Sequence, residues 1–179
     1  MTPTKEELPL HLQHNSLTLR TATVDDVPYL TRWWNDGAVM AHAGFPNGLG
    51  TTEEKVCAGL SEGSLMLEEN GLPIGEANYR PAGEGIAEIG IKICVASCQN
   101  RGVGRIFLSL LIRHLFSGGY NKIILDTNLN NLRAQHVYES LGFRKLRVNT
   151  DAWKDQLGAW QSSVDYELTE PDFIDFSLR

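Results

Sequence analysis

The stretch Gln99-Asn100-Arg101-Gly102-Val103-Gly104 stands between an alternating run, Glu88-Ile89-Gly90-Ile91-Lys92-Ile93, and a long apolar segment from Arg105 to Phe116. An alternating run reads as a strand, and an apolar segment opening just after two glycines reads as a helix. A helix start offers unpaired backbone N–H groups and the positive end of a macrodipole, and glycines let a phosphate come close to the main chain. The order strand, glycine turn, helix therefore predicts an anion cradle. Its candidate residues are Gln99, Asn100, Arg101, Gly102, Val103 and Gly104, with Arg101 and Arg105 bracketing the glycines and adding charge to the grip.

The other elements follow from local patterns. Leu17, Leu19 and Thr21 alternate with polar residues as a first strand, and Thr23 to Asp26 reads as a capping box ahead of Val27, Leu30, Trp33 and Trp34 at helical spacing. Ala43 to Gly50, rich in glycine, is a loop, and Thr51 with Glu54 repeats the capping signature. Asn70-Gly71 is a hairpin turn between Ser64–Glu68 and Ile74–Tyr79, and a strand is expected over Ala87–Cys94. Arg105–Phe116 is apolar nearly all round, as suits a helix laid across a sheet; Lys122–Thr127 is a short buried strand, and Asn131–Leu141 a helix closed by Gly142. Arg144–Val148 and Val164–Leu168 are expected to pair antiparallel, joined by a loop holding Trp153 and Trp160. Strands with interspersed helices indicate α/β or α+β with a mixed sheet. One domain is expected over 16–169, with a poorly ordered extension over 1–15 and a tail over 170–179.

Composition narrows the function. At 179 residues and 42% hydrophobic content the chain suits one domain with a core of its own. A net charge of −6 without a basic run speaks against a nucleic-acid surface. No apolar run approaches a membrane span, and Met1–Asn15 has neither the basic start nor the apolar centre of a signal peptide, so a cytoplasmic location is expected. Cys57, Cys94 and Cys98 are odd in number and lack zinc spacing, and the histidines form no metal motif, so free thiols and no metal are expected.

Which phosphate compound the cradle takes is decided by what is missing and by what comes later. A dinucleotide fingerprint would place a third glycine where Phe107 stands, although Asp126 falls about where a ribose-binding acid is expected. A nucleotide-hydrolase loop fails because Arg105-Ile106 follows Gly104 where Lys and Ser or Thr are needed. Downstream lies Asn131-Leu132-Arg133-Ala134-Gln135-His136-Val137-Tyr138-Glu139-Ser140-Leu141-Gly142-Phe143. Taken with Gln99-x-x-Gly102-x-Gly104, it resembles the GNAT superfamily of acyl-CoA-dependent N-acetyltransferases, over roughly Leu17 to Leu168. Arg32-Trp33-Trp34-Asn35-Asp36 and the closing Trp-containing hairpin further resemble the branch with ribosomal-protein N-terminal acetyltransferases of the RimJ and RimL type.

The resemblance implies a GNAT-like mixed, mostly antiparallel sheet of about six to seven strands flanked by helices and splayed at an acetyl-CoA cleft. It implies that the glycine loop holds the CoA diphosphate and that the second motif lines the pantetheine. Asn131, Ala134, Tyr138 and Leu141 form one stripe at helical spacing: an amide, a small side chain and a phenol along one face. Asn131 is either a pantetheine contact or simply the helix cap, and Tyr138 either faces the ligand or packs in the core. By resemblance Tyr138 is the general acid for the CoA sulfur, and Glu88 the best candidate base, against a plain reading as a solvated strand carboxylate. The main-chain amides of Ile93, Cys94 and Val95 would serve the oxyanion and pantetheine. Neither Cys94 nor Cys98 has a partner in sequence to activate it, so direct transfer through a ternary complex is expected in preference to an acetyl-cysteine route.

Trp33, Trp34, Phe45, Trp153 and Trp160 are candidate walls of an acceptor pocket. The partner expected is an amine, on a small molecule or a protein N-terminus, taken by a monomer or homodimer. The alternative is a non-catalytic acyl-CoA-binding or regulatory module of the same fold.

Overall fold

A computed structural model describes residues 9–178 of the chain. Its frame is an eight-stranded sheet in the order β1-β2-β3-β4-β5-β6-β8-β7. The strands are β1 (His11–His14), β2 (Leu17–Thr21), β3 (Ser64–Glu69), β4 (Leu72–Gly83), β5 (Ile86–Ile93), β6 (Lys122–Asn128), β7 (Arg144–Lys154) and β8 (Trp160–Thr169). All neighbours pair antiparallel except β5 and β6, which run parallel.

That one parallel pair positions the site. β5 and β6 meet only over Ile86–Glu88 against Lys122–Ile124, so beyond Glu88 the two strands are no longer paired. On the other side of β5 the ladder with β4 continues to Ile93. The gap so opened is a break in the middle of the sheet, between strands that are each held firmly on their outer side.

Helices cover both faces. On one lie α1 (Val27–Trp34), α2 (Gly37–Met40) and α3 (Glu53–Ala58), where Val27, Leu30, Trp33 and Val56 bury against Met66 and Cys94. On the other lie α4 (Val103–Ser117) and α5 (Leu132–Ser140). The all-round apolar character of α4 has a physical cause. Phe107, Leu108, Leu110, Leu111 and Ile112 join the main core with Leu19, Ala87, Ile89 and Ile123 of the sheet, and the C-terminal segment closes over its outer side. There the Phe176 amide donates to Ser109 Oγ at 3.0 Å, and the Phe173 ring meets Phe116 with centroids 6.0 Å apart. Burying such a leucine contributes about 1.5–3 kcal/mol, and Leu111→Ala is expected to cost roughly 2–5 kcal/mol through the cavity it leaves.

Several local expectations change. The tail expected over 170–179 is docked on α4 through residue 178, because α4 offers it apolar surface and a hydroxyl. The first eight residues of the expected poorly ordered extension lie outside the described residues, while His11–His14 forms an edge strand in register with β2. The sheet has eight strands because of this edge strand. Residues 149–163, expected as a loop, mostly continue the β7–β8 hairpin, whose tip is a turn in which Asp155 Oδ1 accepts from the amides of Leu157 and Ala159. The cap of α3 is Thr52, not Thr51: its side chain accepts from the Lys55 amide, whereas Thr51 is tied to Asn35. Among the described residues no helix is long and apolar enough to cross a membrane, and no group of three or more His, Cys, Asp or Glu is placed to hold a metal.

Candidate active site

The gap between β5 and β6 continues into a cleft of about 710 Å³, within the size range of small-molecule sites. One end is the start of α4. Gly102 takes φ +78°, left-handed backbone that turns the chain from the preceding loop into the helix, and Asn100 takes φ +58°. A Cβ on Gly104 would meet nothing within 4 Å, so the space over the first turn is open for a ligand atom to reach the amides of α4. Val103, between the two glycines, is buried in the main core and anchors the turn.

The charged side chains here are already engaged. Arg101 donates twice to Glu69 at 2.9 Å, and the Arg105 guanidinium lies over the Phe176 ring at 4.6 Å. The Gln99 side chain is a strut: its Nε2 donates to the Ile93 carbonyl at 2.9 Å, and its Oε1 accepts from Arg133 at 3.1 Å. Arg133 also reaches Asn100 Oδ1, so it ties α5 to the glycine loop across the cleft. No local pattern signals this bridging role, because the partners of Arg133 lie over thirty residues upstream.

Main-chain direction decides which amides of β5 face the gap. The N–H groups of Cys94 and Val95 both donate to the Ile74 carbonyl, at 2.8 and 3.1 Å, and so are turned toward β4. This departs from the expectation that Ile93, Cys94 and Val95 all stand free. Alternation along the strand aims the N–H of Ile93, and with it Ile91, to the side from which β6 has departed.

Tyr138 enters the cleft from α5. Its ring is packed between Phe143 and Tyr166, with centroids 5.9 Å from each, and only 6% of the residue is exposed. Among the described residues no hydrogen-bond partner meets its hydroxyl, and no buried side-chain polar atom is left unsatisfied, so the hydroxyl is the part that reaches the cleft. Burial, reinforced by the negative charge of Asp126, pushes the phenol up to about 12. It is held protonated at neutral pH. Asn131 caps α5, accepting from the Ala134 amide at 3.3 Å, and Asn131 and Ala134 both line the cleft.

Glu88 is placed elsewhere. Its carboxylate is held by Arg80 in a bidentate pair at 2.8–2.9 Å, and it does not line the cleft. Register explains this: Glu88 sits opposite Arg80 and Ile124, where β5 and β6 are still joined. The carboxylate that does line the cleft is Asp126, two residues past the last β5–β6 pair. Asp126 is exposed along its strand; crowding by protein on its inner side raises its pKa from the ordinary value, and the charges of Glu88 and of Asp165, its register partner on β8, raise it further. Ile123 and Leu125 point into the core under α4, so Asp126 points to the opposite face, toward α1 and α2. The gap thus brings together a phenol from one face of the sheet and a carboxylate from the other.

The far end of the cleft is walled by Ala38 and Val39 of α2, by His42 and Ala43 after it, and by Trp153 of β7. Of the other aromatic candidates, Trp33 is core, Trp34 donates its Nε1 to Glu76 at 2.9 Å, and Trp160 is 58% exposed, stacked with Lys154.

A family model described as an acetyltransferase (GNAT) domain matches residues 16–144, which include the glycine loop, Asp126 and the Asn131–Phe143 segment. The chain belongs to the GNAT family. Solved structures similar to this GNAT chain include an acetyltransferase of the GNAT family from Bacillus anthracis (TM-score 0.78, 19% identity, 90% of this chain and 99% of that one). Another is yncA from Salmonella typhimurium with its cofactor acetyl-CoA (0.73, 22%, 87% and 94%). A third is RimL, a ribosomal L7/L12 α-N-protein acetyltransferase, in complex with coenzyme A (0.79, 16%, 89% and 98%). At these identities the likeness is one of fold. No curated protein matches the chain.

The three cysteines of this GNAT domain are free thiols, and of them Cys98 lines the cleft. Burial, with the charge of Glu76, pushes the Cys94 thiol up to about 12, and Cys98 is buried with its Sγ beside Glu69. Cys57 is exposed on α3, outside the cleft.

Proposed function

We propose that the chain moves the acetyl group of acetyl-CoA directly to a primary amine, within a ternary complex assembled across the gap in the sheet. Acetyl-CoA is the cosubstrate. The observation that carries the reading is the position of the Tyr138 hydroxyl: buried, protonated, without a protein partner, and open to the same cleft as the start of α4.

The residues present suit the donor. The open space over Gly104 and the left-handed turn at Gly102 let a diphosphate approach the amides of Val103, Gly104 and Arg105, in the field of the helix start. Asn100 and Arg101 line the approach. The Ile93 amide, Asn131 and Ala134 border the path from there to Tyr138. The thioester supplies an activated acyl group, and the chain's own residues manage two protons. Asp126 takes one from the ammonium form of the acceptor, since its raised pKa brings it nearer to the working range of a base. Tyr138 gives its own proton to the thiolate as the C–S bond breaks, which a phenol held neutral by burial can do at physiological pH, and the second N–H proton, released as the amide forms, restores the phenol. Glu88, locked on Arg80, acts through its charge on Asp126 rather than on the substrate.

The acceptor class is a primary amine on a protein N-terminus or a small molecule. A thiol-release assay with acetyl-CoA against peptide N-termini, polyamines and aminoglycosides tests the reading. Release that depends on an added amine supports it; binding of acetyl-CoA without release across the whole panel supports the non-catalytic alternative.

A further inference from the structure

Two segments that adjoin the cleft lining, the loop after Ala43 and the hairpin that carries Trp153, touch each other, and one side chain joins them. Gln156, at the tip of the β7–β8 hairpin, accepts from the Asn47 amide through Oε1 at 2.9 Å and donates from Nε2 to the Gly48 carbonyl at 3.0 Å. Its own main-chain N–H donates to the Gly44 carbonyl at 2.8 Å. A primary amide carries an acceptor and donors on separate atoms, so one side chain meets both groups of the loop. Beside it the Trp153 ring lies on Gly44, so close that a Cβ there would stand 2.3 Å from the ring.

Neither wall gives easily. Residues 44–50 are fixed to α1 and α2: a Cβ on Gly48 would stand 2.1 Å from the Asn35 carbonyl and one on Gly37 1.9 Å from the Pro46 carbonyl, and Asn35 holds Thr51 by two hydrogen bonds. The hairpin is fixed through Asp155, whose Oδ2 accepts from Gln161, which in turn accepts from Asn128 in the cleft floor. Residues 44–50 and the hairpin tip are thus held to each other next to the cleft lining at Ala43 and Trp153.

We propose that Gln156 and the Trp153–Gly44 contact form a clasp over the acceptor end of the cleft that selects slender primary amines, such as alkylamines and extended peptide N-termini, over ring amines of the aminoglycoside type. The proposal rests on the acetyl-transfer reading above. A slender acceptor reaches Asp126 beneath the closed clasp, whereas a ring amine has to part walls joined by three hydrogen bonds and a ring contact.

The test is Gln156→Ala, read by steady-state kinetics and by hydrogen exchange. Loss of two hydrogen bonds between the walls is expected to lower KM for an aminoglycoside about tenfold, to leave kcat, the KM of acetyl-CoA and that of a diamine or peptide N-terminus near wild type, and so to narrow the preference by a similar factor. The Asn47 amide, which loses its acceptor, is expected to exchange about tenfold faster or more. A wild-type enzyme that prefers the ring amine overturns the clasp, as does a variant with an unchanged KM for the aminoglycoside or unchanged Asn47 exchange. If Gln156→Ala does not fold, Trp153→Phe shrinks the ring without touching the hydrogen bonds and carries the same selectivity readout. Failure of every amine to release thiol would overturn the acetyl-transfer reading instead; the clasp then answers to the exchange result alone.

Discussion

The two ends of the cleft are built by opposite means. The donor end is local: strand, glycine turn and helix follow one another within Ile86–Ser117, and the space over the first turn of α4 exists because residues 102 and 104 lack side chains. The acceptor end is assembled at long range: Gln156 reaches Asn47 across 109 residues of sequence, and the hairpin that carries it is anchored through Gln161 to Asn128 on a third strand. A local device keeps its chemistry when its surroundings change, because its geometry is set by adjacent residues. A long-range one can be retuned by a single distant side chain. The donor end is therefore suited to one constant ligand and the acceptor end to a variable one.

Substitutions can break that contrast, and the largest effects are expected where the two ends meet. Tyr138→Phe should lower turnover by about 10²–10⁴-fold, the usual contribution of a positioned acid, while acetyl-CoA affinity and thermal stability stay near wild type because the hydroxyl has no protein partner. Single-turnover and binding measurements separate the two quantities, and wild-type turnover would remove Tyr138 from the mechanism. Asp126→Asn should cost on the order of 10²-fold and abolish the acidic limb of the pH–rate profile. A variant that retains that limb would place the base elsewhere.

The donor end gives a pair with opposite signs in stability and the same sign in binding. Gly102→Ala, at φ +78°, should destabilise by about 1–2 kcal/mol, whereas Gly104→Ala, in helical backbone with open space above it, should stabilise by about 0.5–1 kcal/mol. Both should weaken acetyl-CoA binding, which calorimetry and thermal melts check together. The smallest effect is expected from Glu88→Gln. Crowding holds the Asp126 pKa up first, with the Glu88 charge second, so removing that charge lowers the pKa and moves the acidic limb of kcat/KM to lower pH without removing it. A shift to higher pH would contradict the charge coupling.

The same contrast explains which features are legible in the sequence. The strand before the loop, the left-handed glycine turn and the stripe Asn131, Ala134, Tyr138 depend on neighbours at most a few turns away, so spacing carries them. Glu88 is misleading for a reason of register. In sequence it stands just ahead of the loop, but β6 leaves β5 only after Glu88, and it is two residues further along β6 that a carboxylate, Asp126, comes into the open. Sequence shows Asp126 only as a possible ribose acid, since no local pattern tells where two strands part. The family resemblance implies free amides at Cys94 and Val95, yet strand alternation turns the Cys94 N–H toward β4, and both donate to Ile74. The hairpin over residues 149–163 reads as a loop because the bulge between Asn149 and Trp153 interrupts its alternation. Gln156 carries no sequence signal at all: a polar residue in a turn is ordinary until its partners on another loop are known.

The central claim is tested most directly by a crystal structure of the chain with coenzyme A. The diphosphate is expected on the amides of Val103, Gly104 and Arg105, with the sulfur at hydrogen-bond distance from the Tyr138 hydroxyl. Coenzyme A bound outside the gap between β5 and β6, or with its sulfur directed away from Tyr138, would contradict it.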